Sequence, residues 1–393
     1  MDRLPVELRQ TLLELLDRPE LKAIRLTSKS WASLGAEYLV SPSFTTFPYR
    51  DDITRLINLS AHPKFSFRIQ SLTFNLGEMN EYHARHNAYF LNYMREYESR
   101  LFTLEETWST YHRWKALKEQ YLPRVCDLAL LTEAFSSLSN LKDISVSLTN
   151  FPFPSTDCPE LLSQMWRIPS TRLLPRIPTT SRFTSLLSAI SLFPHLTIQT
   201  LSHDRLPFEF FAQNRPLISS ISPAFTHLTS LALTLDYHDS NALHHEPACQ
   251  NLALCLHRAT NLHTLSLTFQ SRTKVSISAL LSACCDIPLR DLRSLRLEGI
   301  ACTEDELADF LTAHAGLKTV VLGGPGVRTP HQPATGGVHL REGTFAGLFE
   351  RVGRGLGLES FEIMGDLLEV ESGRRWLLDG LEDVRSLDIF QSE

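Results

Sequence analysis

One six-residue pattern returns through most of this chain: an apolar residue, two others, an apolar residue, one other, an apolar residue. It reads IQSLTF at 69–74, LKDISV at 141–146, LTSLAL at 228–233, LHTLSL at 262–267, LRSLRL at 292–297, LKTVVL at 317–322, LESFEI at 358–363 and VRSLDI at 384–389. The alternation closing each copy is the period of a strand with one buried face, since successive side chains of a strand point to opposite sides. The last five copies start at 262, 292, 317, 358 and 384, so they are 30, 25, 41 and 26 residues apart. That spacing holds one strand and one connection per step, and the connections include helical segments such as EDELADFLTAHA (304–315) and ALLSAC (279–284). No single copy can bury its apolar side alone, so the copies must stack.

The copies resemble leucine-rich repeats. That resemblance implies an α/β fold, an irregular solenoid over residues 66–393 in which each repeat adds a parallel strand and a return helix. The Asn or Cys of the family pattern is missing, with Asp236, Gln270 and Ile300 in its place, which argues against regular curvature. Three segments interrupt the repeats. Residues 78–124 contain no Gly and are rich in Tyr, Glu and Arg, which predicts a helical hairpin with Tyr82, Tyr89, Tyr93 and Tyr97 on a packed face. Residues 150–182 hold six prolines and read as a surface loop, and the Gly-rich stretch 323–337 reads as a second one.

The first 40 residues follow a different period. Pro5 suits a first helical position and Glu7 a first turn, and Leu8, Leu12, Leu15 and Leu16 form one stripe that ends near Asp17 and Pro19. A second short helix should carry Leu21 and Ile24, and a third Trp31, Leu34 and Tyr38. So small a unit cannot bury all its leucines by itself. Leu4-Pro5, Glu7-Leu8, Leu12-Leu13, Leu16, Leu21, Arg25-Leu26, Ser28-Lys29 and Trp31 resemble an F-box, with Asp17, Glu20 and Thr27 departing from its commonest residues. The resemblance implies docking on a Skp-type adaptor and, through it, on a cullin–RING ubiquitin ligase. Leu4, Pro5, Leu8, Leu12, Leu16, Leu21 and Trp31 are the implied contacts, with Ile24, Leu34 and Tyr38 expected to turn inward.

Nothing in the sequence assembles a catalytic centre. His238, His244, His245, Cys249, Cys255 and His257 cluster, but without HExxH or paired CxxC spacing. The 323–337 loop lacks the GK[ST] ending of a phosphate cradle, and no GxSxG elbow or kinase set occurs. Glu304 and Asp305 fit a helix start. The expectation is a chain that is no enzyme and needs neither cofactor nor metal.

The net charge of −6 is concentrated at 341–393, where twelve acids face six arginines, and disfavours nucleic acid as a partner. Arg167, Arg172, Arg176 and Arg182 form the one local basic run, read as a solvated loop. The start MDRLPVEL is not built like a leader, no apolar run approaches the ~20 residues of a membrane span, and seven cysteines suggest no disulfide framework. A cytoplasmic or nuclear chain with no membrane partner is expected.

If the leucines point inward, the residues between them line an open face: Thr234, Asp236, Ser266, Thr268, Arg296, Glu298, Val321, Glu362, Met364 and Asp388. These are the candidates for contact with a target protein. The functional expectation is therefore a substrate-recognition adaptor of an SCF-type ligase. The alternative is a non-ligase interaction or scaffold protein whose first helices only cap the solenoid.

Overall fold

The computed structural model describes residues 4–79, 104–153, 163, 166, 174–238, 245–286, 289–326 and 336–384. Three short helices open the chain: α1 (Val6–Leu15), α2 (Arg18–Arg25) and α3 (Lys29–Leu34). Asp17 and Glu20, two departures from the commonest F-box residues, form a capping box at the start of α2, and Pro19 lies in its first turn, where its missing N–H costs nothing. The proline thus begins a helix rather than merely breaking one.

A single sheet then runs through the rest of the described chain. Its strands are β1 (Ser43–Thr46), β2 (Ser71–Asn75), β3 (Asp143–Ser147), β4 (Thr200–Pro207), β5 (Ser230–Asp236), β6 (Thr264–Gln270), β7 (Val275–Ser276), β8 (Ser294–Glu298), β9 (Ile300–Cys302), β10 (Thr319–Gly323), β11 (Val338–Leu340), β12 (Ser360–Glu369) and β13 (Arg375–Asp383). The order is β1-β2-β3-β4-β5-β6-β8-β10-β12-β11-β9-β7, all parallel, with β13 antiparallel on β12. A helix lies in each connection along the main row: α4 (Asp52–Ser60), α5 (Leu104–Val125) with α6 (Leu128–Phe135), α7 (Arg176–Ser191), α8 (Arg215–Ile221), α9 (His245–Arg258), α10 (Ser278–Asp286), α11 (Glu304–Ala313) and α12 (Phe345–Gly355). Parallel neighbours require such crossovers.

The register keeps the first seven copies of the apolar pattern in phase. Leu72, Ile144, Leu201, Leu231, Leu265, Leu295, Val320 and Phe361 stand side by side, all buried. A one-residue slip would turn each of these rows to solvent, which is why the register is strongly specified. The next inward row runs Phe74, Val146, His203, Leu233, Leu267, Leu297, Leu322 and Ile363. His203 takes an apolar position. Its ring meets Phe183 edge-on at 5.1 Å, Nδ1 accepts from the Arg205 backbone N–H at 3.2 Å, and Nε2 has no hydrogen-bond partner. Burial pulls its pKa down to about 4 against the pull of Asp204 in the opposite direction.

The boundaries differ from the sequence expectation in four places. The sheet begins at Ser43, not near 66, because β1 is SFTT and places Phe44 and Thr46 where leucines would otherwise announce a strand. Residues 176–182 of the expected 150–182 loop belong to α7, whose Pro178 sits in a first turn that tolerates it. From β6 onward a second parallel row forms, β7-β9-β11, which joins the long β12. Finally, the edge of β12 is taken by antiparallel β13 (Arg375–Asp383), a strand the repeats do not announce; of the copy expected at 384–389 only Val384 is among the described residues. In the 78–124 segment the described part is the helix α5, while 80–103, with the four tyrosines and the rest of the expected hairpin, lies outside the described residues. The 323–337 loop leaves β10 at Gly323 (φ +87°), where a Cβ would lie 2.0 Å from the Met364 carbonyl oxygen.

Candidate functional site

Two surfaces stand out, the solvent side of the sheet and the outer side of the N-terminal helices. On the sheet, the outward positions line up as strictly as the inward ones. The first outward row is Ser43, Ser71, Asp143, Thr200, Ser230, Thr264, Ser294, Thr319 and Ser360, eight hydroxyls in nine positions. The second is Thr45, Thr73, Ser145, Ser202, Ala232, Ser266, Arg296, Val321 and Glu362, five in nine. Small β-compatible side chains make most of this face shallow from β1 to β6, and Ser202 donates to Ser145 at 2.9 Å across it. Charge in these two rows is confined to Asp143 of β3, Arg296 of β8 and Glu362 of β12.

Of the residues expected on this face, Ser266, Arg296, Val321 and Glu362 fall in the second row, and Thr234 and Thr268 are partners in the row beyond, beside Glu298. Met364 stands opposite Gly323. Two acids are engaged within the chain. Asp236 pairs with Arg176 and with Arg205 at 3.3 Å. Glu298 is buried, with Arg296 Nη2 and the Thr268 hydroxyl both at 3.4 Å and the Gly326 N–H donating at 2.9 Å. Glu362 accepts from Ser360. Asp388 lies outside the described residues. The sequence reading passed over the first outward row, although its signal was present as the Ser or Thr before the second apolar residue of most copies.

Three acids, Glu78 beyond β2, Asp204 in β4 and Asp366 in β12, are each tied to a neighbouring segment. Glu78 binds Lys118 at 2.8 Å and Arg182 at 3.0 Å. Asp204 accepts from the backbone N–H groups of Leu148 and Thr149 and from the hydroxyls of Ser147 and Thr149. Asp366 takes Arg375 at 2.7 Å, His339 at 3.1 Å and Lys274 at 3.9 Å. Its carboxyl is held low by Arg375 and His339 in spite of burial, while burial lowers the pKa of His339. Arg176 and Arg182 of the basic run are thus ion-paired, and Arg167 and Arg172 lie outside the described residues. In the His/Cys cluster, His245 Nε2 sits 2.6 Å from the Ser276 carbonyl oxygen and 3.7 Å from Cys249 Sγ, whose thiol burial pushes up to about 12; His244 is outside the described residues. Among the described residues no grouping of His, Cys, Asp and Glu would hold a metal, and no helix is long and apolar enough to cross a membrane.

The N-terminal helices form their own core of Leu13, Leu21 and Trp31, with Leu12, Leu16, Ile24, Leu34 and Tyr38 packed partly against it. Ser28 caps α3 by accepting from the Trp31 N–H, and Arg9 lies over the Trp31 ring at 5.9 Å while donating to Ser30 at 2.5 Å. Leu4, Pro5 and Leu8 point outward, Leu12 and Leu16 are half-buried, and Leu21 and Trp31 face inward. Two leucines not singled out as contacts are the most exposed leucines among the described residues: Leu15 at 81% and Leu26 at 89%. These leucines leave apolar surface outside the unit's own core.

Residues 1–35 match the F-box domain. No curated protein matches the chain. The F-box domain joins the sheet through Tyr38, whose ring carries the Arg68 guanidinium at 4.4 Å, and through the Pro42 carbonyl, which accepts from the N–H groups of Gln70 and Ser71. Its outward leucines lie just before α1, on α1 and at the end of α2, outside the segment that makes this junction.

Proposed function

We propose that this protein is a substrate-recognition adaptor of an SCF-type cullin–RING ubiquitin ligase. The F-box domain docks on a Skp-type adaptor through Leu4, Pro5 and Leu8, with the half-buried Leu12 and Leu16 completing the patch and Leu15 and Leu26 widening it. Leu21 and Trp31 serve by holding the three helices together. The observation that carries this reading is the match to the F-box domain on a unit whose leucines are left outside its own core.

The sheet domain is read as an irregular leucine-rich-repeat solenoid, and its hydroxyl-lined face as the surface for a target protein. Thr234, Ser266, Thr268, Arg296, Glu362 and Met364 are its central residues, with Asp236 and Glu298 fixing their neighbours in place. The mechanism is proximity. Holding a target beside a ubiquitin-charged enzyme raises the effective concentration of the target's lysines, with no chemistry performed by this chain.

Capture of a purified Skp-type adaptor by the full chain tests the reading. The wild type should retain it, and a Leu8→Asp, Leu12→Asp double variant should lose it while keeping the sheet domain folded. A wild-type chain that captures no adaptor would leave the F-box helices as a cap on the sheet, which is the scaffold reading.

A further inference from the structure

Of the 38 basic side chains only eight are lysines, and all eight are among the described residues. From Asp143 onward the chain has 18 arginines and two lysines, Lys274 and Lys318. The difference is chemical, since a lysine amine can give up its proton and act as a nucleophile, whereas a guanidinium stays protonated. Lys22 and Lys29 belong to the F-box domain, four residues before and three after the exposed Leu26. Lys118 is tied to Glu78 at 2.8 Å and Lys274 to Asp366 at 3.9 Å, with 13% and 7% of their side chains in water, and Lys115 is half-buried beside Glu119 at 3.8 Å. That leaves Lys64, Lys142 and Lys318 as the exposed lysines of the sheet domain. All three lead into strands from the amino side. Lys64 lies in the turn before β2, while Lys142 and Lys318 directly precede β3 and β10, where their N–H groups donate to the Gln70 and Arg293 carbonyls. The junction from the F-box domain arrives on the same rim, with Pro42 accepting from the Gln70 N–H. Neither outward row of the sheet contains a lysine.

We propose that Lys64, Lys142 and Lys318 are ubiquitin-acceptor sites of this chain itself, and that the outward face of the sheet is free of amines so that further ubiquitin passes to a bound target. The inference rests on the adaptor reading above: the proximity that delivers a target also holds this chain beside the ubiquitin-charged enzyme, so its own exposed amines stand at high effective concentration. In the transfer, a deprotonated lysine Nζ attacks the carbonyl carbon of the thioester that joins the C-terminus of ubiquitin to the enzyme's cysteine. The isopeptide C–N bond forms, the C–S bond breaks, and the sulfur leaves as a thiol with the proton the amine gives up. Burial favours the neutral amine of Lys274, but with 7% of its side chain exposed it cannot reach a thioester carbonyl. Lys318 keeps only a solvent-exposed pair with Glu359 at 3.7 Å, which holds it weakly. Lys22 and Lys29 flank the leucine given to the adaptor and are covered with it.

Reconstituted transfer onto the full chain tests the sites, with a purified Skp-type adaptor, cullin–RING core, conjugating enzyme and ubiquitin, and with adaptor capture measured in the same mixture. Mass spectrometry of the branched peptides should place ubiquitin on Lys64, Lys142 and Lys318. Combining Lys64→Arg, Lys142→Arg and Lys318→Arg keeps every charge and should cut modification of the chain by at least about fivefold while capture is unchanged. Thr264→Lys puts an amine on an exposed position of the first outward row and should gain a branch at residue 264 about as heavy as that on Lys318. This variant separates a face kept clear of acceptors from a mere preference for arginine. A captured wild type that stays unmodified, branches on other lysines that persist in the triple variant, or a Thr264→Lys chain unmodified at residue 264 would each overturn the proposal while leaving the adaptor reading intact. A chain that captures no adaptor overturns both, and the capture measurement tells the two failures apart.

Discussion

Truncating Leu8 separates the outer surface of the F-box domain from its core. The side chain stands 56% exposed on α1. Full burial of a leucine is worth about 1.5–3 kcal/mol, so covering the part of Leu8 still in water contributes about 1–1.5 kcal/mol to adaptor binding. Leu8→Ala should therefore weaken the complex by about fivefold to tenfold. Because the lost atoms contribute little to the unbound fold, stability should stay within about 0.5 kcal/mol of the wild type. Trp31→Ala is the contrasting variant. Its ring is buried against Leu13 and Leu21, and deleting it should cost about 3–5 kcal/mol, which melts the helical unit and abolishes capture indirectly. Titration calorimetry of the full chain with a purified Skp-type adaptor, beside thermal unfolding of each variant alone, reads both quantities. An affinity of Leu8→Ala within twofold of the wild type, or a melting temperature several degrees lower, would refute the assignment of α1's outer side to the adaptor.

Other positions answer to simpler measurements. His203 is folded with a pKa near 4 against an unfolded value of about 6.5, so it stays neutral in the fold while the unfolded chain takes up a proton; stability is present above pH 6.5 and falls as pH drops towards 4. This one group should remove about 2 kcal/mol between pH 7 and pH 5, and His203→Leu should abolish that slope and raise the urea midpoint at pH 7. Asp204→Ala strands two backbone N–H groups and two hydroxyls after β3 and should cost about 2–3 kcal/mol, read as a lower urea midpoint. Gly323→Ala forces a Cβ onto the Met364 carbonyl at a positive φ and should lower stability by at least about 2 kcal/mol in the same assay.

The repeating apolar pattern made the sheet legible because one physical requirement, burial on one face, writes itself into every second residue of each strand. It failed where another residue met that requirement. The strand at Thr200–Pro207 escaped notice because IQTLSH closes on His203 instead of a leucine, and β1 because SFTT turns inward a half-buried Phe and a buried Thr. Strand β13 escaped notice because RWLLDGLED does not carry the repeating spacing, yet it pairs with β12; of the copy at 384–389 only Val384 is among the described residues. In the F-box domain, helical spacing identified the apolar residues but could not divide them between inside and outside. Leu21 and Trp31 went inward because three short helices need a core of their own, and Leu15 and Leu26 were left out for the same reason. The hydroxyl rows were readable in principle, since parallel register turns a residue preference repeated down the sequence into a line across a surface.

The junction between the F-box domain and the sheet sets a length scale. Only eight residues separate Leu34 from Ser43, three of them wound into a 3-10 turn at Glu37–Leu39, and the segment is clamped by Arg68 on Tyr38 and by Pro42 on β2. Such a joint behaves as a bracket and not as a tether. A body held by the outer leucines and a body resting on the sheet would be kept at a set distance and angle, so that lengthening these eight residues with glycines would change which parts of the second body come within reach of the first.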